Sequence, residues 1–193
     1  AVLFARSDSV YKTLPGCDVY DIERDALKWE GGFPVIAHPP CRAWGRFRTF
    51  AKPREGEREL AIWAVDQVRR WGGVLEHPAS SLLWKEEGMP QPGAFDLFGG
   101  FLLWIAQWWF GHRADKSTYL YIVGCQPADL PPIPFQLGTA THVIAQQRTK
   151  PNGSRLTKGQ PGWKPETTKA EREHTPPALA KWLVEVATRI SKR

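Results

Sequence analysis

Residues 57–76 read ERELAIWAVDQVRRWGGVLE, and the fold follows from how that stretch is parsed. Leu60, Ala61, Ala64, Val65 and Val68 recur at three- and four-residue spacing, while Arg58, Glu59, Arg69 and Arg70 fall opposite them. This predicts an amphipathic helix over Glu57 to Trp71. Gly72-Gly73 ends it, and Val74-Leu75-Glu76 returns as a strand. Upstream, Phe33 to Ala37 is continuous, apolar and β-branched, as a strand covered on both faces reads. Strand, loop, helix, strand is a crossover unit of a parallel sheet, so the expected class is α/β with helices on both faces.

The flanking elements are expected to extend that sheet. Val2 to Ala5 suits a central first strand, and Asp18 to Ile22 (DVYDI) a second. Gly100 to Phe110 (GFLLWIAQWWF) is apolar all round and far shorter than the roughly 20 residues a membrane span needs, so it reads as a core helix, a core strand or an aromatic surface. Thr118 to Val123 (TYLYIV) reads as a strand. Cys125 to Pro177 is rich in Pro, Gly, Lys and Thr and is expected to be irregular. A last helix is expected from Thr175 as cap, with Leu179, Trp182, Leu183, Val186 and Ile190 on its buried face.

The chain has 193 residues, 42% of them apolar, which suits one domain. Its net charge of +6 favours a polyanionic partner. The excess gathers in two loop-like stretches. Arg42 to Arg58 holds six basic against two acidic residues, and Thr141 to Arg172 seven against two. Three cysteines, Cys17, Cys41 and Cys125, show no paired spacing, and no leader-like segment opens the chain. A reduced, cytoplasmic setting without disulfides is therefore expected. Most of the ten tryptophans are expected in the core. Trp44, in the basic loop beside Cys41, is the one assigned to base stacking.

Chemistry gathers where strands end. His38-Pro39-Pro40-Cys41 follows one strand and Glu76-His77-Pro78 closes another, and ligands of open α/β sheets collect at such ends. A thiolate beside a carboxyl group suits addition to carbon 6 of a pyrimidine, with the acid on ring nitrogen 3. Arg42, Arg46 and His38 are candidates to lower the thiol pKa. Two other readings use the same residues: a zinc site on His38, Cys41 and His77, and a Cys-His hydrolase using Cys41 with His38 or His77. Asp21 either holds ribose hydroxyls or is a helix-capping or solvated carboxylate.

The order of these segments resembles that of the DNA cytosine-5 methyltransferases, in particular short phage-type relatives with an AHPPC turn followed by a Glu-Asn/His-Pro turn. The resemblance implies a Rossmann-like sheet, DNA as partner, and S-adenosylmethionine as cofactor. It makes Cys41 the nucleophile and Glu76 the acid, with His77 standing where the family has Asn. Gly111 to Gly124 resembles the family's basic motif before a Val-Gly strand, and so assigns Arg113 and Lys116 to steady the base. Thr175-Pro176-Pro177-Ala178-Leu179-Ala180 resembles the last motif, a helix beside the cofactor.

By the same resemblance the cofactor seat falls on Phe4, Ser7, Asp21 and Pro39. Phe4-Ala5-Arg6-Ser7-Asp8-Ser9 lacks the glycines of the family's first loop, and the short span from Phe4 to Cys41 leaves out one strand-helix unit. Three outcomes follow: a trimmed S-adenosylmethionine pocket, a different donor, or a nucleic-acid-binding protein without catalysis. Residues 125–172 fall where the family keeps its target-recognition region. Phosphate contacts are expected from Arg42, Arg46, Arg48 and Lys52, and further nucleic-acid binding from Arg148, Lys150 and Arg155, where the Gln146-Gln147-Arg148 triplet reads either as base-edge contacts or as a solvated loop. Resemblance to phage-type enzymes implies the cytoplasm of a bacterial host.

Overall fold

The computed structural model describes residues 1–145, 154 and 156–190. Six strands, β1 (Val2–Leu3), β2 (Val19–Tyr20), β3 (Val35–Ala37), β4 (Gly73–Pro78), β5 (Phe101–Ala106) and β6 (Ser117–Val123), form one open sheet in the order β2-β1-β3-β4-β6-β5. β2, β1, β3 and β4 are mutually parallel. β6 runs antiparallel to both β4 and β5, and these are the longest ladders. The class is α/β, and the sheet is mostly parallel, made mixed by β6.

Alternation along the strands builds two cores. Ile36, Val74, Leu120 and Ile122 point to one face, where Leu179, Leu183 and Val186 of α4 (Pro177–Arg189) cover them. Val35, Ala37, Leu75, Tyr121 and Val123 point to the other, against Ala61, Ala64, Val65 and Val68 of α1 (Glu57–Trp71). Continuing the same alternation, His38 and Glu76 fall on the α4 side of the sheet and His77 on the α1 side. His38 thus continues the core pattern just past β3, and Glu76 and His77 continue it within the last half of β4.

Several expectations are adjusted. β1 stops at Leu3 because Phe4 takes φ 61, outside the β region. Gly100 to Phe110 forms β5 and then a 3₁₀ turn, Gln107–Phe110. The connections from β1 to β2 and from β2 to β3 carry only the 3₁₀ turns Val10–Thr13 and Ala26–Lys28, with no crossover helix. Thr175 does not cap α4; Pro176 holds that position, without a side-chain cap bond. The irregular stretch contains the short helix α3 (Lys169–Glu173), closed by a reciprocal Thr168/Glu171 capping box. One further short helix, α2 (Leu83–Glu86), follows β4. Among the described residues, no helix is long and apolar enough to cross a membrane.

Candidate functional site

The carboxyl ends of β1, β2, β3 and β4 open into one cleft of about 1150 Å³, closed on the far side by residues 111–116 and 168–177. β1 pairs with β2 on one side and β3 on the other, so chain connections leave it in opposite directions. A crevice forms at such a switch point. Cys41, Glu76, Arg113, Lys116, Phe4, Asp21, Pro39 and Arg42 all line the cleft. Ser7 does not. Arg46, Arg48 and Lys52 lie outside it, exposed on the loop after the cysteine. Arg148, Lys150 and Arg155 lie outside the described residues.

Glu76 is buried on β4, two residues before its end, and its two oxygens are separately engaged. His38 Nδ1 lies 3.1 Å from Oε2, and Gln107 Nε2 donates to Oε1 at 2.8 Å. Burial pushes this carboxyl up, but the Lys116 charge, the His38 hydrogen bond and the charges of His38 and His77 outweigh it and hold it at about 2. The carboxyl is therefore ionised in the free protein. It accepts hydrogen bonds and has no proton of its own to give.

Cys41 reaches solvent, yet loss of water around the sulfur and the negative charge of Glu76 push its thiol above the ordinary range. Lys116 pulls the other way and is outweighed. This corrects the expectation that Arg42, Arg46 or His38 activates the thiol. Arg42 is turned onto Glu57, which grips it through both oxygens while also accepting from the Arg54 backbone N–H. The free site holds a neutral thiol beside an ionised carboxylate.

Trp44 is also corrected. Its ring is fully buried in the α1-side core, Nε1 donates to the Arg58 carbonyl at 3.1 Å, and the Arg58 guanidinium lies 4.0 Å from the ring centroid. No face remains for a base. The exposed rings of that loop are Phe47 and Phe50, 40% and 86% exposed.

Arg113 is held by Glu171 of α3 in a two-pronged ion pair. Two further contacts join the first loop to the same segment: an ion pair of Arg6 with Glu173 at 2.7 Å, and a hydrogen bond between His174 Nε2 and Asp8 at 3.0 Å. Asp21, at the end of β2, accepts from the backbone N–H groups of Glu23 and Arg24 through Oδ1 and pairs with Lys12 through Oδ2. Its role is local capping. Lys12 and those backbone donors hold its carboxyl at about 2.

These observations test the cofactor seat. A ribose diol would need Asp21, whose buried carboxylate already accepts two backbone N–H groups at Oδ1 and the Lys12 ammonium at Oδ2. A nucleoside approaching over β1 would need a loop without side chains, where Phe4 packs edge-on against Trp63 at 5.9 Å and Arg6 reaches across to Glu173. The residues present do not fit S-adenosylmethionine in the seat the resemblance implies. Nor, among the described residues, do three His, Cys, Asp or Glu side chains gather as a metal would require, so the zinc reading finds no support.

Sequence reading missed Tyr11, Gln107, Arg6, Arg54 and Glu171. Only Arg54 carried a signal, as part of the basic loop. No protein-family model, curated protein or solved structure matches the chain.

Proposed function

We propose that the protein is a nucleic-acid-modifying enzyme, resembling DNA cytosine-5 methyltransferases, that activates carbon 5 of a pyrimidine, cytosine in the first instance, in DNA. The observation that carries this reading is the pair at the ends of adjacent parallel strands: Cys41 after β3 and ionised Glu76 on β4, lining one cleft together with Lys116.

One proton suffices for the chemistry. The thiol proton of Cys41 passes to the Glu76 carboxylate, and the thiolate forms a bond to carbon 6. The carbon 5–carbon 6 π pair shifts to form a carbon 4–carbon 5 double bond, the carbon 4–nitrogen 3 π pair moves onto nitrogen 3, and nitrogen 3 takes the proton from Glu76. Carbon 5 is then the nucleophilic end of an enamine. In the free protein that transfer is steeply uphill, because the thiol is pushed up and the carboxyl pulled down. Turnover therefore waits for a base whose nitrogen 3 accepts the proton as sulfur attacks. An unreacted base has to leave the stack to reach this cleft.

The addition has a signature that needs no donor. In D₂O the enamine takes deuterium at carbon 5, and reversal returns the base with its carbon 5 hydrogen exchanged. Incubating a cytosine-containing oligonucleotide with the protein in D₂O is expected to label carbon 5, read by mass spectrometry. Cys41→Ser and Glu76→Gln are each expected to lower the rate at least about 100-fold. Undiminished labelling with Cys41→Ser would refute the nucleophile. The upward shift of the thiol favours a second reading, a nucleic-acid-binding protein without catalysis. That reading requires DNA binding by the native protein and no labelling at all.

A further inference from the structure

Tyr11, His38 and Glu76 form a hydrogen-bonded line into the floor of the cleft. The Tyr11 hydroxyl lies 3.0 Å from His38 Nε2, and His38 Nδ1 lies 3.1 Å from Glu76 Oε2. The protons on this line can be assigned. An ionised carboxylate only accepts, so Nδ1 of His38 carries the hydrogen. With the imidazole neutral, Nε2 presents a lone pair to which the Tyr11 hydroxyl donates. Tyr11 is 1% exposed, and burial together with the charge of Glu76 pushes its phenol well above the ordinary range, so it remains a donor.

The local build supports an orienting role. Tyr11 comes from the turn Val10–Thr13, whose first residue follows Ser9, a side chain that accepts from the Tyr11 N–H. Its ring is tilted against the His38 ring at 5.4 Å. His38 and Glu76 share the α4 side of the sheet on adjacent strands. On the far side of the carboxylate, Gln107 is itself tied to Thr118 Oγ1 at 3.1 Å. The remaining groups that bear on the Glu76 charge are Lys116 before β6, His77 on the opposite face and the Cys41 thiol. Core packing alone would not place three polar side chains in series here, since each loses water on burial.

We propose that Tyr11 and His38 are positioning residues for Glu76: the phenol fixes the imidazole tautomer, and the imidazole holds one carboxylate oxygen so that the other chemistry of the cleft meets an ionised, oriented base. This rests on the reading of Cys41 and Glu76 given above. Neither residue touches the pyrimidine. The line acts entirely through the carboxylate.

The test reads the carboxylate directly, without substrate. In ¹³C-glutamate-labelled protein, with Glu76 assigned against Glu76→Gln, the native carboxyl is expected to be ionised at pH 4. In His38→Ala its titration is expected to rise by about one to two pH units. Tyr11→Phe, which keeps the ring, is expected to give a smaller rise. His38→Asn, whose amide N–H falls near Nδ1, is expected to restore the native value. In the D₂O exchange assay the same ranking should appear in the rate constant, with Tyr11→Phe about tenfold slower at unchanged KM.

An unchanged Glu76 titration in both His38→Ala and Tyr11→Phe would overturn the proposal, as would a His38→Asn variant no better than His38→Ala. If the native protein shows no exchange, the addition chemistry fails by itself. The carboxyl titration still decides on the line.

Discussion

His77 is buried edge-on against Trp84 at 5.9 Å, and neither ring nitrogen has a hydrogen-bond partner of good geometry, although the Pro40 carbonyl faces it. Burial holds its pKa down to about 4, so the folded protein keeps it neutral where the unfolded chain, at 6.5, takes up a proton. Stability from this residue is therefore complete above pH 6.5 and is lost as pH falls toward 4, by about 3 kcal/mol in all. Glu76, lowered from 4.5 to about 2, adds a second loss between those values. Urea unfolding midpoints are expected to fall steadily from pH 7 to pH 4, and His77→Leu to flatten that slope without destabilising at neutral pH. A slope unchanged in His77→Leu would assign the acid sensitivity elsewhere. That Cys41 and Glu76 come to line one cleft was legible, because each follows closely on an apolar run that forms a strand. Trp44 was not: a tryptophan in a basic loop reads the same whether its ring faces outward or folds back under Arg58.

Among the elements, α1 and β4 meet at a junction that tolerates only glycine. A Cβ on Gly73 would sit 2.0 Å from the Val35 carbonyl oxygen and 2.6 Å from its nitrogen, because β3 and β4 pair backbone to backbone there. Gly73→Ala must shift one strand against the other and is expected to destabilise by about 3 kcal/mol or more. Gly56, at the start of α1 with φ 72, has open space around its Cβ position. Gly56→Ala is expected to cost only about 1 kcal/mol of left-handed strain. Equal losses for the two variants in chemical denaturation would remove the packing argument. The α1 helix was legible to the residue because its apolar period, its basic last turn and its terminal glycines agree. The direction of β6 was not, since an apolar strand reads alike in both senses. Its antiparallel course carries Thr118 and Lys116 back to the open end of the sheet, beside Glu76.

At the scale of the whole molecule, the net charge of +6 overstates the positive field at the cleft. Arg113 is neutralised by Glu171, Arg42 by Glu57 and Arg6 by Asp8 and Glu173. On the reading that phosphates enter here, Glu171 competes with them. Glu171→Gln is expected to tighten oligonucleotide binding about threefold to tenfold at 0.1 M salt and to steepen the salt dependence by close to one counterion, measured by fluorescence anisotropy. An unchanged salt slope would place Arg113 outside the nucleic-acid path. The α/β class, the two helical faces and the cysteine and carboxylate at neighbouring strand ends follow from local periodicity, which the order of residues contains in full. Only the tertiary structure decides which cations are already paired, that Asp21 is a capping group, and that Tyr11, His38 and Glu76 form one line. Those partners are separated by 27 and 38 residues, and no local pattern encodes a contact made across a folded sheet.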